Sequence, residues 1–307
     1  MRILLTGASG FIGNRLLRHL RNADISVVSV GRTPVSQDGV DFLPVSHLAA
    51  DDLRTTLKSY SIDAVIHLAA AGVSPNDRDA RHLLEINGHL PSALALLAND
   101  LGARAFVMTG SSSEYAQTNS EQIEEHAPLE TTKTYGATKA AGGLLAVAMG
   151  SALGLPTINL RLFNVFGPGE APHRLLPSLL HSLNAGKFVA LSEGQQQRDF
   201  VHVDDACIAI LAALHAALRG SLPTGHYNVC SGKGTSVREF ALAVAATLGA
   251  DAQLLRFGAL PMRPDDMPRV VGAPNAFGQL SGWKPTMAFQ QAIESAVEEM
   301  RQSTLGA

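Results

Sequence analysis

The chain has little cysteine, few aromatic residues and no run of one charge, and each shortage removes a class of protein. Its two cysteines, Cys207 and Cys230, stand in an apolar helical stretch and an apparent strand. Two are too few for a disulfide scaffold, and they lack the spacing of a metal site, so buried free thiols and no metal are expected. The 24 basic and 27 acidic residues are dispersed and leave a formal charge of −3, which gives no basic footprint for nucleic acid. No apolar run approaches the ~18 residues of a membrane-spanning helix, and the chain opens on a strand rather than on the charged and apolar regions of a leader. The expectation is a soluble, cytoplasmic protein with neither nucleic acid nor membrane as partner.

Glycine, by contrast, is present where it counts. Residues 2–6 read as a short apolar strand, and Gly7, Gly10 and Gly13 then break the chain before an amphipathic segment that begins at Phe11 and Ile12. A strand that passes through glycines into a helix binds a dinucleotide pyrophosphate. The glycines let the backbone approach, and the helix N-terminus offers free N–H groups and the positive end of its dipole. The position directly after a strand is the context this motif requires.

The first half alternates apolar runs (2–6, 25–30, 41–45, 64–68, 105–109, 157–162) with helical patterns (11–21, 50–59, 79–100, 133–153). Strands separated by helices pair in parallel through right-handed crossovers, which implies a doubly wound α/β sheet of Rossmann type covered on both faces. Beyond Asn164 proline and glycine become frequent and the strands shorten. A dinucleotide-binding domain over 1–165 and a smaller, mainly substrate-binding domain over 166–307 are expected, with 197–220 returning to the first. Helical patterns resume at 204–218, 237–248 and 288–301, with Asp204 and Ser236 as N-caps of the first two.

Two clusters carry chemistry. Tyr135 and Lys139 are four apart in a helical pattern and so share a face. A neighbouring cation favours phenolate over phenol, which suits Tyr135 to general acid or base work at a carbinol carbon. Ser111, Ser112 and Ser113 follow an apolar run at the point where ligands bind in open α/β sheets, outside the carboxyl ends of the strands. A serine there can hold a substrate oxygen while Tyr135 moves the proton.

These residues carry a family resemblance. Gly7-x-x-Gly10-x-x-Gly13, Asn87, the serines ahead of Tyr115, Tyr135-x-x-x-Lys139, Arg161-Leu-Phe-Asn-Val-Phe-Gly-Pro168, Arg198-Asp-Phe-Val-His-Val-Asp-Asp205 and Gly282-Trp-Lys-Pro285 occur in one order along the whole chain. Together they resemble the extended short-chain dehydrogenase/reductases, the nucleotide-sugar epimerase/dehydratase family. The resemblance implies a Rossmann domain holding NAD or NADP and a C-terminal domain gripping a nucleoside-diphosphate sugar. It implies Ser111, with Ser112 as the alternative, Tyr135 and Lys139 as the catalytic set, Lys139 also holding the nicotinamide ribose. It places Phe11, Ile12, Leu68, Ala69, Ala70 and Asn87 on the cofactor. It places Ser112, Ser113, Asn164, Arg174, Arg198, Arg263 and Asp266 on the substrate, with Arg263 and Asp266 as a phosphate and ribose clamp. His202, Asp204 and Asp205 read as a capped helix start, and Trp283 as a packing anchor. A homodimer through a four-helix bundle of the 79–100 and 133–153 helices is also implied.

Departures from the family pattern bear on the reaction. Dehydratases that resemble this family carry acids where this chain has Ser112 and Ser113, and the carboxylate here is displaced to Glu114, which disfavours loss of water. Strand two ends Val30-Gly31-Arg32 rather than in the Asp or Glu that accepts the adenosine ribose hydroxyls. A glycine clears space and an arginine complements a 2′-phosphate, so NADP(H) is favoured, with NAD(H) as the alternative. The serine motif and the 257–264 segment resemble 4-ketoreductases of 6-deoxyhexose nucleotides. The expected reaction is NADPH-dependent reduction of a C4 ketone on a nucleoside-diphosphate 4-keto-6-deoxyhexose. An NAD-dependent 4-epimerase and a non-catalytic NADP-sensing protein are the alternatives.

Overall fold

The computed structural model describes residues 1–305 apart from 36, 38, 75–76 and 264–265. Strands β1 (Arg2–Thr6), β2 (Ser26–Gly31), β3 (Val40–Pro44), β4 (Ala64–His67), β5 (Phe106–Ser111) and β6 (Thr157–Leu162) fall within a residue or two of the sequence expectation. So does helix α1 (Phe11–Asn22), while α2 (Ala50–Thr56) ends three residues early and the chain finishes the expected span as a 3-10 turn at Leu57–Ser59.

Further along come α3 (Ala80–Leu83), α4 (Leu90–Asp100), α5 (Thr134–Leu153), β7 (Asn164–Phe166), α6 (Leu175–Asn184), β8 (Val189–Ala190), β9 (Gln197–Arg198) and β10 (Phe200–His202). The remainder comprises α7 (Val203–Leu218), β11 (Gly225–Val229), β12 (Thr235–Ser236), α8 (Val237–Leu248), β13 (Leu255–Arg256), β14 (Arg269–Val270), α9 (Asn275–Ser281) and α10 (Phe289–Leu305).

Seven strands form one parallel sheet in the order β11-β6-β5-β4-β1-β2-β3. The chain winds outward from β1 through β2 to β3, then crosses back to β4 and winds the other way. The reversal leaves a crevice at the carboxyl ends of β1 and β4, where open sheets of this kind take their ligands. The seventh strand, β11, comes from residues 225–229 and lies beside β6.

Both faces are buried, as parallel strands require. On one side Ile3, Leu5, Ile66, Val107 and Leu160 pack with Leu16, Leu20, Ile210 and Leu214 of α1 and α7. On the other, Leu4, Val28, Val65, Phe106 and Met108 pack with Leu53, Leu94, Leu97 and Ala146 of α2, α4 and α5. A third core joins α6, α8 and α10 through Leu179, Phe240, Val244 and Ile293. Both cysteines are buried free thiols, and among the described residues no helix is long and apolar enough to cross a membrane.

Two local expectations change. The expected helix over 79–100 runs unbroken from Ala80 to Asp100 but widens into a π-helical turn at Leu84–His89. Pro91, at the start of α4, has no N–H for the carbonyl four residues back and its ring crowds that carbonyl, which belongs to Asn87. The wider turn accommodates it. The start of α7 also differs: the cap is the His202 side chain, which accepts from the Asp204 N–H at 3.2 Å. The Asp204 carboxylate instead takes a bidentate pair from Arg15 at 2.5 and 2.6 Å, linking α7 to α1. Ser236 does cap α8, in a reciprocal capping box with Glu239.

The displaced Asn87 carbonyl presses on α5. A Cβ at Gly142 would overlap that oxygen, a backbone atom that cannot swing aside. Gly142→Ala is therefore expected to cost about 1–3 kcal/mol, the usual cost of overpacking, read as a lower urea midpoint at unchanged slope. An unchanged midpoint would contradict this packing.

Candidate active site

The site is built at the carboxyl ends of β1, β4 and β5. After β1 the chain turns at Gly7 with φ +76°, where a Cβ would lie 2.6 Å from the Ala69 nitrogen and 2.7 Å from the Leu68 carbonyl carbon. A Cβ at Gly13 would overlap the Gly7 carbonyl oxygen. Both glycines are thus required by the backbone packing of the turn. Helix α1 begins at Phe11 with Gly10 as N-cap, no side-chain cap and no acidic residue in its first turn. Its N–H groups and dipole remain available to an anion, so the turn fits a pyrophosphate.

Leu68, Ala69 and Ala70 form the facing wall on the β4 side. Asn87 holds that wall from behind: its side chain accepts from the Ala71 N–H at 2.9 Å and donates to the Ala71 carbonyl at 3.0 Å. The wall ends at Gly72, φ +83°, where a Cβ would lie 2.8 Å from the Tyr135 ring, and the Gly72 N–H is held by Asp77 at 2.6 Å. One loop therefore touches the glycine turn at one end and the candidate acid at the other.

Tyr135 and Lys139 do share a face of α5, as their spacing requires. Tyr135 hydrogen-bonds Ser111, and burial raises its pKa above the ordinary phenol value, so the proton stays on the oxygen at neutral pH. Lys139 is buried and donates to the Thr109 carbonyl at 2.6 Å; burial lowers its pKa. Ser111 closes β5 and accepts from the Ser113 N–H at 3.1 Å. Ser112 is buried, and Ser111 and Ser113 are partly exposed.

At the adenosine side, Gly31 closes β2 with no atom within 4 Å of where a Cβ would stand. Arg32 is exposed and has no ion-pair partner among the described residues.

Of the expected substrate residues, Arg198 and Asp266 are brought together in an ion pair, and Arg198 also donates to the Met267 carbonyl at 2.9 Å. Arg263 is exposed, and its carbonyl accepts from the Asp266 N–H at 3.1 Å. Asn164 opens β7 and donates its N–H to the Asp199 carbonyl. Arg174 is half-exposed beside Glu170. Of the 257–264 segment, Pro264 lies outside the described residues. Trp283 is buried against Phe277 and donates to the Asp205 carbonyl at 3.1 Å, a packing anchor as expected.

Glu170 was not legible in the sequence. Its side chain is almost wholly buried in the loop after β7, accepting from the Gly167 N–H at 3.2 Å, and burial raises its pKa to about 7. The following Arg174 and the Gly-Pro-Gly ahead of it were the only signals, and neither indicates burial.

A family model described as the NAD dependent epimerase/dehydratase family matches residues 3–230. The dTDP-4-dehydro-6-deoxy-D-allose reductase of Streptomyces bikiniensis is 28% identical over 97% of this chain and 94% of its own. The UDP-glucose 4-epimerase of Azospirillum brasilense is 27% identical over 92% of this chain and 87% of its own. The solved structure of MoeE5 in complex with UDP-glucose and NAD superposes with a TM-score of 0.87 at 27% identity, covering 99% of this chain and 100% of that one. A glycine turn at the sheet crossover, a serine–tyrosine–lysine set beside it and a match across most of the chain lead to one conclusion: the chain belongs to the NAD-dependent epimerase/dehydratase family.

Proposed function

We propose that this protein reduces the C4 ketone of a nucleoside-diphosphate 4-keto-6-deoxyhexose with NADPH. The observation that carries the reading is the Ser111–Tyr135 hydrogen bond beside buried Lys139, next to a turn that fits a dinucleotide. When bound, the nicotinamide supplies the hydride. Ser111 holds the carbonyl oxygen and polarises it, Tyr135 donates the proton that completes the alcohol, and Lys139 stabilises the phenolate left behind. Burial keeps the Tyr135 phenol protonated at neutral pH, which suits a donor.

Reductase and epimerase relatives are nearly equally similar, so the choice rests on residues. Glu114 is fully buried, with its carboxylate taken up by Arg161, Asn159 and the Ser111 backbone N–H, which disfavours its acting in elimination of water. The open space at Gly31 and the exposed Arg32, which has no ion-pair partner among the described residues, favour a cofactor with a 2′-phosphate, and NADPH suits net reduction. An NAD-dependent 4-epimerase, using the same residues with transient oxidation at C4, is the second reading; the NAD in the MoeE5 complex favours it. A sensor that only binds NADP has no use for the proton-transfer set. Arg198, Arg263, Asp266, Asn164, Arg174 and Ser113 are proposed to hold the nucleotide sugar, guanidinium forks being matched to diphosphate oxygens. Leu84, Leu96, Leu144, Leu145 and Leu153 of the 84–153 helices are exposed, and a twofold dimer would cover them.

Tyr135→Phe is expected to lower turnover ~10²–10⁴-fold with binding of NADPH and sugar nucleotide retained, followed by NADPH absorbance over a panel of 4-keto-6-deoxyhexose nucleotides. Full activity in the variant would refute the mechanism, and UDP-glucose interconversion without net NADPH oxidation would replace reduction by epimerisation. For the cofactor, Gly31→Asp should weaken NADPH much more than NADH in titration, and wild-type protein that binds NADH at least as well as NADPH would overturn the preference. Light scattering should give the mass of a dimer at micromolar concentration; a stable monomer counts against the helical interface.

A further inference from the structure

Glu114 has no part in the proposed proton transfer, yet much of the site is arranged around it. Its carboxylate is fully buried. One oxygen accepts from the Ser111 backbone N–H at 2.9 Å; the other accepts from Arg161 Nε at 2.7 Å and Asn159 Nδ2 at 3.3 Å. Two glycines make room for this arrangement. A Cβ at Gly110 would overlap the Glu114 oxygen, and one at Gly143 of α5 would overlap the Asn159 amide beside it. Glycine at both positions leaves a cradle that a carboxylate fills.

The Ser111 N–H that Glu114 holds belongs to the residue whose hydroxyl meets Tyr135. We propose that Glu114 is a positioning residue: it pins the last residue of β5 so that the Ser111 hydroxyl stays on Tyr135, and its buried carboxylate stands among the charges that face that tyrosine. The proposal rests on the reading of Ser111 and Tyr135 as the acid–base pair. The same negative charge adds to the burial that raises the Tyr135 pKa and opposes the burial that lowers that of Lys139. Other charges face the tyrosine: Arg78, ahead of α3, and Arg174, at the start of α6, oppose Glu114 by lowering its pKa. Lys139, on the same helix, is held by the Thr109 carbonyl. Around Glu114 itself stand Arg161 from β6 and His226 from β11, the latter kept neutral by burial, with its pKa lowered to about 4.

The test does not depend on knowing the substrate. The chain has four tyrosines, so protein carrying 13C at the tyrosine ring carbon gives four resonances, and Tyr135→Phe identifies the one that matters. Its ionisation is followed upward in pH for as long as circular dichroism shows a folded chain. Glu114→Gln preserves shape and acceptor but removes the charge, and Tyr135 should ionise about 1 pH unit lower. Where activity is available, the acid–base limb of the rate profile should move the same way, with KM little changed.

An unmoved Tyr135 resonance in folded Glu114→Gln would overturn the proposal. If that variant does not fold, Glu114→Gln/Arg161→Gln removes both charges together and avoids an uncompensated buried cation. Arg161 faces Tyr115 and Glu125, so Tyr135 should still ionise lower in the double variant, and an unmoved resonance there would equally overturn the proposal. Full turnover in Tyr135→Phe would instead remove the acid–base reading, while the titration still reports on Glu114.

Discussion

The ion pair between Glu114 and Arg161 constrains everything built above it. Both side chains are essentially inaccessible to water, where an unpaired charge costs several kcal/mol, so every remaining donor and acceptor must be met. Arg161 also donates to the Tyr115 hydroxyl at 3.0 Å and the Glu125 carbonyl at 2.9 Å. Tyr115 donates to Asn228 Oδ1 at 2.6 Å, and Asn228 donates to the Ile123 carbonyl at 2.8 Å. Burial raises the Tyr115 pKa to about 12, so its hydroxyl remains a donor. Polar residues inside β6 and β11, which a wholly apolar core would not tolerate, thereby tie the ends of three strands to the segment between Tyr115 and Glu130.

A second buried carboxylate does comparable work on the other half. Asp199 follows Arg198 and accepts from the Ser231 N–H and hydroxyl and from the Gly232 and Gly272 N–H groups, at 2.7 to 3.3 Å. Those donors lie just after β11 and β14, so the three-stranded sheet β12-β9-β14 that presents Arg198 is fastened to the edge of the main sheet. Arg198 is itself held by Asp266.

Much of the scaffold was legible because it rests on periodicity. Apolar runs of five or six residues separated by helical patterns specify parallel strands buried on both faces, and β1 to β6 lie where those runs are. The glycine turn was legible because only glycine fits the backbone contacts at Gly7 and Gly13. Tyr135 and Lys139 meet on one face because helical geometry puts residues four apart together.

What the sequence by itself determined is therefore the doubly wound layer, the glycine turn at its crossover and the Tyr135–Lys139 pair, each set by short-range geometry. Tertiary structure alone decided where side chains at equal spacing point. Glu114 turns inward because Arg161, on a strand 47 residues later, waits there to pair with it. Arg15 from α1 claims Asp204 and leaves the cap to His202, and Glu170 is buried by a loop whose composition is that of a surface turn. For Glu114 and Asp204 the deciding partner is far away in the chain, and no local pattern encodes it.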